Sequence, residues 1–219
     1  AKTLMEVNEL TFGFDPQYPL MKNLSLNINA DDRIAIIGKN GKGKSTLLNL
    51  LSGDLKMQAG TIRNHPNMKL GYFGQTNIGR LNPKLTIEQE IDQANPNLGR
   101  TPVRNICGLM MFSGDAAEKK ISNLSGGEKS RVLLGKILAT PANLLFLDEP
   151  TNHLDMQSIE ALVESIENFP GAVLTVTHSE EMLRRIATKL IVFNDGRAEL
   201  FLGNYDEFLD RVGWGEEPY

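Results

Sequence analysis

Nine residues, Gly38-Lys39-Asn40-Gly41-Lys42-Gly43-Lys44-Ser45-Thr46, constrain the fold more than any other stretch of this chain. They fit G-x-x-x-x-G-K-[ST] without exception. The β-branched run Asp32-Arg33-Ile34-Ala35-Ile36-Ile37 precedes them and reads as a strand ending in glycine. The residues after the loop read as a helix, with Leu47, Leu48 and Leu51 on one face and a stop at Gly53. Strand, glycine loop and helix in that order aim backbone N–H groups, and the positive end of the helix dipole, at a phosphate. Gly38, Gly41 and Gly43 let the backbone curl around the α- and β-phosphates, with Asn40 among the nucleotide-binding positions. Lys44 would reach the β- and γ-phosphates, and Ser45, followed by Thr46, would hold Mg²⁺.

A phosphate loop needs a metal-holding partner, and the apolar run Asn143-Leu144-Leu145-Phe146-Leu147 ends in Asp148-Glu149-Pro150. Ligands of open α/β sheets sit at the carboxyl ends of the strands. Asp148 is therefore the candidate metal carboxylate and Glu149 the candidate base for the attacking water. Two further runs, residues 172–178 and 189–195, alternate with helical patterns, as in a mostly parallel sheet. Ahead of the phosphate loop, residues 5–14 and 20–28 read as antiparallel strands separated by Asp15, Pro16 and Pro19. Residues 60–64 and 68–75 read as two more strands, bridged by the turn-forming His65-Pro66-Asn67.

Residues 84–122 change character. Thr86 with Gln89 predicts a capping box, and Pro102 is expected as the first residue of a second helix running to about Phe112. Next comes Asn123-Leu124-Ser125-Gly126-Gly127-Glu128-Lys129, where Ser125 and Glu128 predict another capped helix whose leading glycines leave its first N–H groups open. It is a second phosphate-binding helix start in a chain that already has one. Strand-like sequence begins almost at Ala1, which suits either a processed start or a domain cut from a longer protein.

Bulk properties narrow the class. A net charge of −4 over 219 residues gives no global basic character for nucleic acid. The single cysteine, Cys107, cannot form an internal disulfide, no early run has the flanks of a secretory signal, and no apolar run approaches the length of a membrane span. A cytoplasmic location is expected.

Taken together, GKNGKGKST, LSGGEK and LFLDEPTNHLD, with a histidine ending the next strand, resemble an ATP-binding cassette (ABC) ATPase domain over essentially the whole chain. The resemblance implies a P-loop α/β fold with a mostly parallel core sheet, an antiparallel β subdomain and a small helical subdomain, about residues 84–140, inserted in one domain of residues 1–219. It implies Mg²⁺-dependent ATP hydrolysis at a composite site, in which Ser125, Gly126 and Gly127 close over the nucleotide held by a second cassette. Gln75 matches the glutamine that senses Mg²⁺ and the attacking water, His178 the switch histidine at the γ-phosphate, and Asp155 the aspartate linking the two sites. Phe14 matches the aromatic that stacks on adenine, with Tyr18 close enough to compete and core packing the alternative for either.

His153 in TNHLD, Lys129 and the closing Gly203-Asn204-Tyr205-Asp206-Glu207-Phe208 resemble the F subfamily, tandem-cassette proteins many of which act at the ribosome, and its second cassette more than its first. The rival expectation is the ATPase subunit of a membrane transporter. In that case Leu109, Met110 and Phe112 should form an exposed apolar face for a transmembrane partner.

Overall fold

The computed structural model describes residues 2–39, 43–74, 79–194 and 196–214. Strands β1 (Thr3–Phe12), β2 (Met21–Asn29), β3 (Arg33–Gly38), β4 (Ala59–Asn64), β5 (Leu70–Phe73), β6 (Leu144–Asp148), β7 (Ala172–Val176), β8 (Lys189–Asn194) and β9 (Arg197–Phe201) form two sheets. The larger has the order β5-β6-β7-β3-β8-β9, parallel throughout except for the antiparallel edge pair β8–β9. The smaller is antiparallel, with the order β2-β1-β4.

Sequence explains the contrast between them. The five residues of β7 are all buried, as are the first four of β6, because helices or a second sheet cover both faces of a parallel sheet. In β2 the buried residues Met21, Leu24, Leu26 and Ile28 share one face, the pattern of a half-solvated strand. Pairing of β1 with β2 slips twice between Val7 and Phe12, and Glu9 and Asn23 take left-handed backbone (φ +51° and +53°) at these bulges.

Period-two alternation in the large sheet feeds two cores. Leu144, Phe146, Leu174 and Val176 pack with the antiparallel sheet and α1 (Gly43–Ser52), whereas Leu145, Leu147 and Val173 pack with the helical insert and α5 (Met156–Glu167). A third cluster joins the last helices, α6 (Glu180–Ile186) and α7 (Tyr205–Arg211), to Ala35, Ile37 and Leu190. Gly53 stops α1 as expected, at φ +88°, with its N–H bonded to Leu50 O at 3.2 Å.

The insert comprises α2 (Ile87–Ala94), α3 (Arg100–Leu109), two 3₁₀ turns (Gly114–Glu118 and Ile121–Asn123) and α4 (Gly126–Ala139). Both capping boxes are present, Thr86 with Gln89 and Ser125 with Glu128. Ile87 N–H bonds Lys119 O and Ile121 N–H bonds Leu85 O, which stitches the entrance of the insert to the junction of its two 3₁₀ turns.

One expectation is corrected. Helix α3 begins at Arg100, so Pro102 is its third residue, and it ends at Leu109, before Phe112. Proline fits there because the first turn's N–H groups have no intrahelical acceptor in any case. The strands on either side of His65-Pro66-Asn67 do not pair, since β4 joins β1 in the small sheet while β5 joins β6 in the large one. Among the described residues no helix is long and apolar enough to cross a membrane.

Candidate functional site

The phosphate loop joins the end of β3 to the start of α1, at the carboxyl edge of the large sheet. Of its candidate contacts, Asn40 and Gly41 lie outside the described residues, as does Gln75. Gly38, Gly43, Lys44 and Thr46 are buried, and Ser45 is half-buried. Lys44 Nζ donates to Gly38 O at 2.9 Å, so the ammonium spans the loop from its second end to its first.

The adjacent strand end supplies the carboxylates. Burial pushes the Asp148 carboxyl above its ordinary range, opposed by a hydrogen bond from Ser45 and by the Lys44 charge. A Ser hydroxyl bonded to a buried carboxylate is a donor set of hard oxygens, and it suits Mg²⁺. Among the described residues no cluster of three or more His, Cys, Asp and Glu side chains could hold a metal alone.

Glu149 sits beside it in left-handed backbone, φ +50°, with its N–H bonded to Val176 O at 2.8 Å. Its carboxyl too is raised by burial, countered by His178 and reinforced by the Asp148 charge. His178 follows β7, is mostly exposed, and places Nε2 3.0 Å from Glu149 Oε1. The sheet thus brings Lys44, Ser45, Asp148, Glu149 and His178 to one edge, from three separate strands.

The other predicted residues lie elsewhere on the chain. Ser125 caps α4: Glu128 N–H donates to Ser125 Oγ at 3.2 Å, and Ser125 N–H to Glu128 Oε1 at 3.1 Å. A side chain at Gly126 would meet open space, so the helix start is uncovered there. Asp155 caps α5, its Oδ1 accepting from Ser158 N–H at 2.7 Å, and that bond draws its carboxyl below the ordinary range. Phe14 and Tyr18 are 65% and 72% exposed, which excludes core packing for both, and the Phe14 ring stands edge-on to Phe12 with centroids 5.0 Å apart.

Two contacts could not be read from the sequence. A Cβ at Gly127 would lie 3.2 Å from His153 Nδ1, so His153, itself left-handed at φ +68°, packs against the start of α4. Phe193 of β8 packs against both ends of the phosphate loop. TNHLD marked the histidine as unusual, but no signal separated Phe193 from any other apolar strand residue.

Comparison with known proteins decides the family, because a family model described as "ABC transporter" matches residues 21–152. The chain belongs to the ABC ATPase family. Its cassette is 39% identical over 213 residues to the "Probable ATP-binding protein YbiT" of Escherichia coli O157:H7, covering 97% of this chain and 40% of that protein. It is 36% identical to mouse "ATP-binding cassette sub-family F member 3", covering 94% of this chain and 29% of that one. The chain thus spans well under half the length of these curated relatives.

Solved cassettes share the fold. An ATP-binding subunit of an ABC transporter matches with TM-score 0.77 and 23% identity, over 96% of this chain and 94% of that one. A dimeric cassette in a post-hydrolysis state, bound to ADP and Pi, matches with TM-score 0.72 and 23% identity, over 90% of this chain and 97% of that one. ABC ATPase cassettes bind ATP with Mg²⁺, and the Ser45 and Asp148 oxygens are of the kind that such a site uses.

Proposed function

We propose that residues 1–219 form one cassette that hydrolyses ATP only when paired with a second, each supplying half of two composite sites. Lys44 would turn from Gly38 O to the β- and γ-phosphate oxygens, and the N–H groups of the loop would hold the α- and β-phosphates. Ser45, Asp148 and Gln75 would hold Mg²⁺, which when bound supplies charge neutralisation across the β- and γ-phosphates. Glu149 would take the proton of the attacking water, with His178 fixing the carboxylate and facing the γ-phosphate. Phe14 would stack on adenine. The products are ADP and phosphate.

The observation that carries the composite site is the start of α4. Its N-cap is satisfied within the chain, and Gly126 opens onto free space, so an anion can approach the positive end of the helix there. The γ-phosphate of ATP held by a second cassette fits that position, with Ser125, Gly126 and Gly127 around it and Asp155 at the seam. The same reading divides the chain into an α/β core, an antiparallel subdomain and a helical subdomain at about residues 84–140.

The F-subfamily relatives favour a cytoplasmic tandem protein acting at the ribosome as the source of this cassette. The rival transporter reading requires an apolar docking face at Leu109, Met110 and Phe112. Met110 and Phe112 are buried and Leu109 is half-buried, so these residues offer little to a membrane partner.

Light scattering on Glu149→Gln, with and without Mg·ATP, tests the pairing. This variant should bind ATP, turn it over at least about a hundredfold more slowly, and shift from monomer to dimer when ATP is added. Wild-type turnover by Glu149→Gln would remove Glu149 from the role of base. A monomer with ATP bound would mean that the partner is a different cassette.

A further inference from the structure

Phe193 ends the apolar run of β8 and is the parallel-register partner of Gly38, where the phosphate loop begins. Its side chain touches the far end of the loop as well. A methyl group at Gly38 would stand 2.9 Å from Phe193 Cβ, and one at Gly43 would stand 3.0 Å from Cε1 and 3.1 Å from Cδ1 of the same ring. Residue 193 therefore lies against both loop ends, through its Cβ and backbone at Gly38 and through its aromatic ring at Gly43. Phe193 packs in turn on the apolar cluster containing Ile36 and Leu47, which flank the loop in β3 and α1. The hairpin it belongs to also reaches the turn between β1 and β2 that carries Phe14 and Tyr18: a methyl at Gly196 (φ +77°) would lie 3.0 Å from Pro19 O.

We propose that Phe193 is a positioning residue for the nucleotide, the floor that fixes the spacing and aim of the phosphate loop. The inference rests on the reading of residues 38–45 as that loop. Gly38 and Gly43 have no side chain with which to grip their surroundings, so the shape of the loop at its two ends depends on what it lies against. A ring under the Gly43 end, on a strand whose backbone abuts the Gly38 end, preorganises the start of α1 before the phosphates arrive, and shifting such groups by about an ångström costs up to a hundredfold. The loop embraces the α- and β-phosphates, so ATP and ADP should feel the loss equally.

The test measures binding of Mg·ATP and Mg·ADP by titration calorimetry on the full chain, with melting temperatures recorded alongside. Phe193→Ala should weaken both nucleotides about tenfold and by the same factor, while Phe193→Leu, which refills the space, should stay within about threefold of wild type. Phe201→Ala is the stability control. Its ring lies on the partner strand β9, 5.7 Å from Phe208 in the third core, and its loss should lower the melting temperature while leaving affinity unchanged.

Unchanged affinity in Phe193→Ala, or equal weakening in Phe201→Ala, would overturn the proposal. Should Phe193→Ala fail to fold, Phe193→Val takes its place in the comparison, with the same outcomes supporting or overturning the proposal. Lys44→Ala separates the two readings. If it binds ATP as wild type does, the phosphate-loop reading falls and Phe193's role with it; if it binds weakly while Phe193→Ala binds normally, only the role of Phe193 falls.

Discussion

Asp148 and Glu149 are adjacent carboxylates that the fold holds above their ordinary range, burial being the largest cause for each. The folded chain therefore favours their protonated forms. An Asp raised in this way costs nothing below about pH 4, where it is protonated folded or unfolded, and becomes a burden as pH rises through its raised value. Asp148→Asn should consequently raise the melting temperature of the nucleotide-free chain near neutral pH, with the gain fading towards about pH 4. Added Mg·ATP should invert the order, because only the wild type keeps the carboxylate proposed to hold the metal. Scanning calorimetry across pH, with and without Mg·ATP, checks both statements; a destabilised nucleotide-free Asp148→Asn at neutral pH would show that the Ser45 bond outweighs burial.

At the scale of elements, helices α2 and α4 are tied by one buried charge. Glu90 is 2% exposed and accepts from Lys136 Nζ at 2.8 Å and from Asn82 N–H at 3.3 Å, while Lys136 is 30% exposed. Removing one partner of a buried pair strands the other, at a cost that the partial exposure of Lys136 reduces to about 2 kcal/mol for Lys136→Met. Glu90→Met combined with Lys136→Met should recover most of it, since an apolar pair of similar volume replaces a bridge whose desolvation largely offset its attraction. Urea unfolding of the single and double variants would show this, and additive losses would contradict it.

The link itself was hidden in the sequence, although both helices were legible from their i, i+3 capping boxes. Local chemistry was readable in general: the loop at 38–46, the carboxylates ending β6 and the histidine after β7 are contiguous motifs. Contacts that depend on register were not. The β4 sequence says strand but not which sheet, and Phe193 meets Gly38 only because β8 pairs with β3 in one of several possible alignments. Pro102 suits the first or the third position of a helix, so the start of α3 depended on Gly99, at φ +88° and without a side-chain cap.

At the scale of the whole molecule, the chain carries a phosphate loop at the edge of its sheet and an open helix start in its insert, each proposed to need the other half from a second copy. In a two-fold pair, the loop of one copy meets the helix start of the other, and the reverse holds at the second site. Complementation tests this without any structure of the pair. Lys44→Ala damages the loop and leaves the helix start intact. Gly126→Asp does the opposite, and it should fold at least as well as wild type, because position 126 faces open space and a carboxylate suits a helix N-terminus. The same carboxylate would repel a phosphate brought by the partner. Alone, each variant places one defect in every composite site and should be inactive. Mixed in equal amounts, half of the pairs contain one site with neither defect and one site with both, so ATPase activity should return to at most about a quarter of wild type. The recovered rate per chain should climb with protein concentration, as a bimolecular site requires. If the helix start served the loop of its own chain, the mixture would be as inactive as its components at every concentration.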